Sequence, residues 1–167
     1  MNTAVILLGA NLGNPELTFS KGLDIIEQKV GKITDLSALY ETAAWGVTEQ
    51  PDFLNQVVII RTKLKARALL EQLQEIEIIL GRTHREKWHA RHIDIDILFF
   101  NEAIIDEPGL QVPHPAIASR KFTLVPLDEL LPEMMHPVYK KSINQLLALC
   151  NDKLPVKKIE KASRNSA

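Results

Sequence analysis

The sequence has a single cysteine, Cys150, among 167 residues. No disulfide can form within the chain, which suits a reducing compartment. Cys150 closes the apolar run Leu146-Leu147-Ala148-Leu149 and reads as a small hydrophobic helix residue, not a nucleophile. No apolar run approaches the roughly 20 residues that a membrane-spanning helix needs. The first residues lack a charged region followed by a cleavable apolar stretch, and the apolar segment 4–8 is too short for a signal peptide. The expected location is the cytoplasm. An excess of either charge is missing too: 20 Lys and Arg stand against 21 Asp and Glu, a net charge of -1. The whole-molecule field therefore recruits neither nucleic acid nor an anionic membrane, and any anion site must come from local clustering. No glycine-rich run ends in Lys-Ser/Thr, so there is no P-loop, and no protein-kinase signature is present. Internal repeats and low-complexity segments are also absent.

What remains is the profile of a globular protein, 46% hydrophobic and 25% charged. The length suits one domain that can bury a core without disulfides or a structural metal. We expect a single domain over 1–151 and a polar, lysine-rich tail over 152–167 that frays.

Residues 4–8 form a short apolar strand, and Gly9, Asn11, Gly13 and Asn14 make a loop. Asn14 suits a helix N-cap and Pro15 the first helical position. Phe19, Leu23, Ile26 and Val30 then recur on one helical face, and Gly31 ends the helix. Residues 33–41 and 54–63 read as strands. A second helix over about 66–80 buries Leu69, Leu73, Ile76 and Leu80, and Gly81 stops it. Residues 82–92 form a polar loop, and 93–100 alternate as a fourth strand. Short helices follow near 126–131 and 142–150. The order βαββαβ predicts an α+β, ferredoxin-like antiparallel sheet with helices on one face and extra C-terminal elements. Such a fold assigns no function by itself.

The segment Arg91-His92-Ile93-Asp94-Ile95-Asp96-Ile97-Leu98 carries the sharpest chemical signal. Alternate side chains share a face, so Ile93, Ile95 and Ile97 point to the core while Asp94 and Asp96 point together to the other side, roughly 7 Å apart. Two carboxylates so placed repel unless a cation lies between them. Their hard oxygens suit Mg²⁺, which completes its coordination with water and substrate phosphates. The alternative is a solvated strand face, but Asp is disfavoured in strands.

The preceding loop gathers Arg82, Arg85, Lys87 and Arg91 against one acid, Glu86, with His84, His89 and His92 among them. Beside an acid pair, such cations fit polyphosphate, whose charge must be neutralised during transfer. The loop could act as a lid, with Trp88 either covering the substrate or anchoring the loop. Further on, Pro113 and Pro115 fix the backbone around His114, and Arg120-Lys121-Phe122 follow. Phe53 and Phe122, from distant segments, could sandwich a flat heterocycle whose edge Asn55 reads, or could simply be core residues.

These features, in this order, resemble the 6-hydroxymethyl-7,8-dihydropterin pyrophosphokinase family of folate synthesis. The resemblance runs from Leu7 to about Pro132. It rests on LLGANLGN at 7–14, YETAAWG at 40–46, QPDFLNQ at 50–56, GR at 81–82, ARHIDIDILFF at 90–100, VPHP at 112–115 and RKFTLVPL at 120–127. It implies transfer of pyrophosphate from ATP to the pterin's hydroxymethyl group with release of AMP, and two Mg²⁺ ions held by Asp94 and Asp96. Arg82 and Arg91 would be catalytic, working on the phosphates together with His114 and Arg120. Gln74, Glu77, Ile97 and Trp88 would complete the ATP site. Phe53 and Phe122 would stack on the pterin, Asn55 would read its edge, and Thr42, Ala43 and Trp45 would complete that edge. The family's Arg-x-Arg is Arg82-Thr83-His84 here, leaving His84 and Arg85 as the two candidates for the second cation. Its Trp-Gly-Pro-Arg is Trp88-His89-Ala90-Arg91, and its Pro-Pro is Ala43-Ala44. The expected partners are ATP and the pterin, with no nucleic acid and no membrane, for a chain acting as a monomer.

Two other functions share some of these residues. A metal-dependent phosphate-ester hydrolase would use the Asp pair but leave Phe53, Asn55 and Phe122 idle. A non-enzymatic RNA-binding sheet would need an aromatic, cationic face. This chain puts acids there, and its aromatics amount to 5%.

Overall fold

The computed structural model describes residues 1–43, 52–81 and 93–159. Its element order is β1 (Asn2–Ala10), α1 (Pro15–Lys29), β2 (Gly31–Leu36), β3 (Leu39–Thr42), β4 (Phe53–Thr62), α2 (Ala66–Ile79), β5 (Asp94–Phe100), β6 (Ile105–Glu107), β7 (Leu110–Val112), α3 (Lys121–Leu130), α4 (Ile143–Leu149) and β8 (Val156–Ile159). The main sheet is antiparallel, in the order β5-β1-β4-β3-β8, with β2 also paired to β4. The expected mixture of helices with an antiparallel sheet is what forms.

Asn14 caps α1 as expected: its side chain accepts from the amide of Leu17 at 3.2 Å. Phe19, Leu23, Ile26 and Val30 are all buried. Gly31 plays a different part from the one expected. It opens β2 rather than ending α1 in a turn, and a Cβ there would drive into the carbonyl of Arg61 on β4. On α2, Leu69, Leu73 and Ile76 are fully buried, whereas Leu80 is only partly so.

The strand expected over 33–41 breaks in two at Ser37. The Ser37 hydroxyl accepts from the amide of Val57 at 2.9 Å, taking over a bond that a strand backbone would make. α3 begins at Lys121, well before the expected 126–131. Pro126 lies inside it, where its missing N–H forgoes one helical bond. Leu124 and Leu127 are fully buried on that helix, and their packing offsets the loss.

Helices cover both faces of the sheet, not one. α1 and α2 pack against Ile6, Leu8, Val58, Ile60, Ile95 and Ile97. α3 and α4 pack on the opposite face, against Val5, Leu7, Val57, Ile59 and Phe99. β1 and β4 are apolar on both sides, and both sides need cover. The lysine-rich tail is not all loose either: its residues 156–159 form β8, paired with β3 at the sheet edge.

Candidate active site

Among the described residues, β5 is one edge of the sheet and pairs only with β1. Its register sets Asp94 opposite Gly9 and Asp96 opposite Leu7. The register of β1 with β4 then sets Gly9 opposite Asn55 and Leu7 opposite Val57. On β3, Tyr40 faces Asn55 and Thr42 faces Phe53. Residues directly opposite one another in an antiparallel pair point to the same side. Asp94, Asp96, Asn55, Phe53, Tyr40 and Thr42 therefore all project onto the face that α3 covers, the side away from α1 and α2. The acid pair and the expected heterocycle residues share one surface.

Gly9 belongs to this surface and not to the loop where the sequence suggested it. A Cβ at Gly9 would come within 2.8 Å of the Asn55 side-chain nitrogen. Asn55 is buried, and that nitrogen donates to the Leu8 carbonyl at 3.2 Å. The glycine thus leaves the room that Asn55 occupies. Thr42 is also buried, and among the described residues its hydroxyl is the buried side-chain polar atom without a hydrogen-bond partner. Such an atom is costly unless something arrives to satisfy it. Ala43, next along, is exposed.

α3 supplies the opposing side. Phe122 is half-buried in its first turn, and the Arg120 guanidinium lies 5.5 Å from the Phe122 ring centre.

His114 comes close to the acid pair by way of an irregularity in β5. The pairing with β1 shifts by one residue between Val5 and Ile6, leaving Leu98 with no opposite residue. The Leu98 carbonyl accepts from the amide of His114 at 3.0 Å. His114 Nδ1 accepts from the amide of Ala116 at 3.1 Å, which puts the proton of the neutral ring on Nε2. Burial pushes the His114 pKa down; Asp96 works against that shift and Arg120 adds to it. These three side chains are close enough to feel one another's charge.

A cavity of about 700 Å³ lies beside the β5 edge, a size suited to a small-molecule ligand. Leu70 of α2, Ile95, Asp96 and Ile97 of β5, and the β6–β7 hairpin line it, with His114 at one side. Gln74 is exposed on α2, one turn beyond Leu70. Glu77, one turn further, is buried; its carboxylate accepts from the amide of Ile95 at 2.7 Å. Sequence reasoning missed the hairpin wall, including Leu110 and Gln111. The signal was Pro108-Gly109, a turn dipeptide between two short runs.

Trp45, Arg82, His84, Arg85, Trp88 and Arg91 lie outside the described residues. Among the described residues no three His, Cys, Asp or Glu side chains gather as a metal cage. Two carboxylates on an accessible strand suit an ion that keeps water and phosphate in its shell. Among those residues, too, no helix is long and apolar enough to cross a membrane.

A family model described as 7,8-dihydro-6-hydroxymethylpterin-pyrophosphokinase matches residues 5–132. A 2-amino-4-hydroxy-6-hydroxymethyldihydropteridine pyrophosphokinase of Aquifex aeolicus is 37% identical over 145 residues, covering 87% of this chain and 90% of its own. One of Bacillus subtilis is 41% identical over 130 residues, covering 77% and 78%. Among solved structures, the wild-type HPPK-DHPS of Plasmodium falciparum with pteroate has a TM-score of 0.75 at 19% identity. That match covers 89% of this chain but only 44% of the Plasmodium chain, so this chain spans less than half of that protein. At such identity the likeness concerns the fold.

Proposed function

The chain belongs to the 7,8-dihydro-6-hydroxymethylpterin-pyrophosphokinase family, and from that premise we propose how its residues divide the work. The activity is transfer of pyrophosphate from ATP to the hydroxymethyl group of 6-hydroxymethyl-7,8-dihydropterin, a step of folate biosynthesis. The hydroxymethyl oxygen releases its proton to solvent and bonds to the β-phosphorus. The bond from that phosphorus to the oxygen bridging the α-phosphate breaks, and AMP leaves with that oxygen.

Asp94 and Asp96 would hold two Mg²⁺ ions, which when bound neutralise triphosphate charge and make the attacking hydroxyl more acidic. Nε2–H of His114, with Arg120, donates to phosphate oxygens; Arg82 and Arg91 act on the same oxygens, with His84 or Arg85 as a further cation and Trp88 as a further ATP-binding residue. Ile97 faces the nucleotide in the cavity along β5, and Gln74 meets it from the exposed side of α2. Phe53 and Phe122 stack on the two sides of the pterin. Asn55, Thr42, Ala43 and Trp45 meet its polar edge. We place the reaction in the cytoplasm, carried out by a chain that acts as a monomer.

The observation that carries this reading is the sheet register, which sets the acid pair and Asn55, Phe53 and Thr42 on one face beneath α3. A phosphate-ester hydrolase would leave that second group idle. The test is product analysis: AMP should form only when ATP, Mg²⁺ and the reduced hydroxymethylpterin are all present. ADP as product, or AMP without the pterin, would overturn the assignment.

A further inference from the structure

The helix that carries Phe122 has no side-chain cap of its own, because Arg120 occupies the N-cap position. A helix start leaves backbone amides without partners. Here the first of them, the Lys121 amide, donates to Oδ2 of Asp152 at 3.1 Å. Oδ1 of the same carboxylate accepts from the amide of Leu154 at 3.0 Å. One side chain therefore ties the first turn of α3 to the segment that enters β8. Two residues later that segment pairs with β3, and its register sets Val156 opposite Thr42 and Lys158 opposite Tyr40. The far end of α3 is tied to β3 as well. The Tyr40 hydroxyl donates to Glu129 Oε1 at 2.6 Å, and the amide of Ala38 donates to the same carboxylate.

We propose that residues 152–159 act as a clasp for the pterin site, with Asp152 as a positioning residue. Asp152 holds the amide between Arg120 and Phe122 in place, while β8 holds the strand that bears Thr42. The inference rests on the assignment of Phe122 and Thr42 to the pterin. The clasp lies beyond residue 132, where the family match ends. It also lies at the sheet edge opposite the acid pair: β8 is one edge and β5 the other. Loosening it should move the stacking ring relative to Asn55 and Phe53, and Arg120 with the same turn, while the acid pair and the cavity along β5 stay as they are. A carboxylate also suits the positive end of a helix, but the amide bond is what sets the position of the turn.

The test compares the full-length chain with Asp152→Ala and Asp152→Asn, by steady-state kinetics in each substrate and by hydrogen exchange of the α3 amides. Asp152→Ala should raise KM for the pterin about fivefold, the size of a lost cap, and KM for ATP by less, about twofold, because Arg120 is one of several phosphate contacts. Exchange at Lys121 should become faster. Asp152→Asn keeps an acceptor oxygen and should restore most of both. A merely structural role would lower thermal stability without separating the two KM values. An unchanged pterin KM, equal rises in both KM values, or unchanged exchange at Lys121 would overturn the proposal. A wild-type chain that makes no AMP would refute the function instead, and the exchange result would still decide whether Asp152 holds the helix.

Discussion

The carboxylate of Glu77 on α2 accepts the amide proton of Ile95, the residue that separates Asp94 from Asp96, at 2.7 Å. β5 is an edge strand, and Glu77 supplies on its outer side the acceptor that another strand would have offered. The side chain was expected at the nucleotide. Buried at 5% exposure, it acts first on the strand that carries the acid pair.

Glu77→Ala should therefore lower stability by about 2 kcal/mol, the worth of a hydrogen bond to a charged group. It should also lower kcat by about tenfold, since the acid pair is no longer held square to its ligands. Glu77→Gln, which keeps an acceptor, should lose less of both. Urea denaturation and AMP release measure the two effects. A variant whose only change is a higher KM for ATP would instead place the carboxylate on the nucleotide.

Asp96→Asn keeps shape and removes charge. Asp96 is only partly buried, so the fold should persist, with an unfolding midpoint close to wild type. Turnover should fall at least about 100-fold, and calorimetric titration of Mg²⁺ in the presence of an ATP analogue should show weakened uptake. Retained turnover would contradict the metal assignment.

Gly9→Ala places a methyl group 2.8 Å from the Asn55 side-chain nitrogen. Asn55 must then give up its bond to the Leu8 carbonyl. We expect KM for the pterin to rise about fivefold with KM for ATP unchanged, because one hydrogen bond is worth about 1 kcal/mol and its misplacement affects only the heterocycle. Equal kinetics in both substrates would show that Asn55 does not read the pterin.

His136 links pH to stability. It is buried, and its Nδ1 accepts from the amides of Val138 and Tyr139. Its ring stacks on Tyr139 at 4.4 Å and meets the edge of Phe99 at 5.7 Å. Burial pushes its pKa below the ordinary 6.5, so the folded state favours the neutral ring. That contribution is complete above the unfolded pKa and is lost as pH falls through the folded value. The urea midpoint should therefore drop as pH goes from about 7 to 5. His136→Gln should flatten that slope in part, because His114, also shifted downward by burial, still contributes. A slope identical to wild type would exclude His136 as a source.

Much of the site is legible from residue spacing. The alternation Ile93-Asp94-Ile95-Asp96-Ile97 places two acids on one side of a strand, because a strand leaves its side chains no other choice. Asn14-Pro15 marks the start of α1 for a similarly local reason. Gly31 misleads, because a glycine that ends a helix and one that lets two backbones approach look the same in sequence. Pro126 misleads in the same way: local propensity disfavours it inside a helix, and the burial of Leu124 and Leu127 overrides that preference.

The sequence by itself determined the acid pair, the family and the reaction, since these depend on residue types at short spacings and on ordered segments that the chain carries whatever its shape. Only the tertiary structure decided which residues meet. Pairing register brought Asn55 over Gly9 and Thr42 beside Phe53. The fold turned Glu77 toward Ile95 and carried Asp152 back to the start of α3. Such contacts join residues far apart in the chain, and no local pattern encodes them, because they form only when the whole sheet has closed around its core.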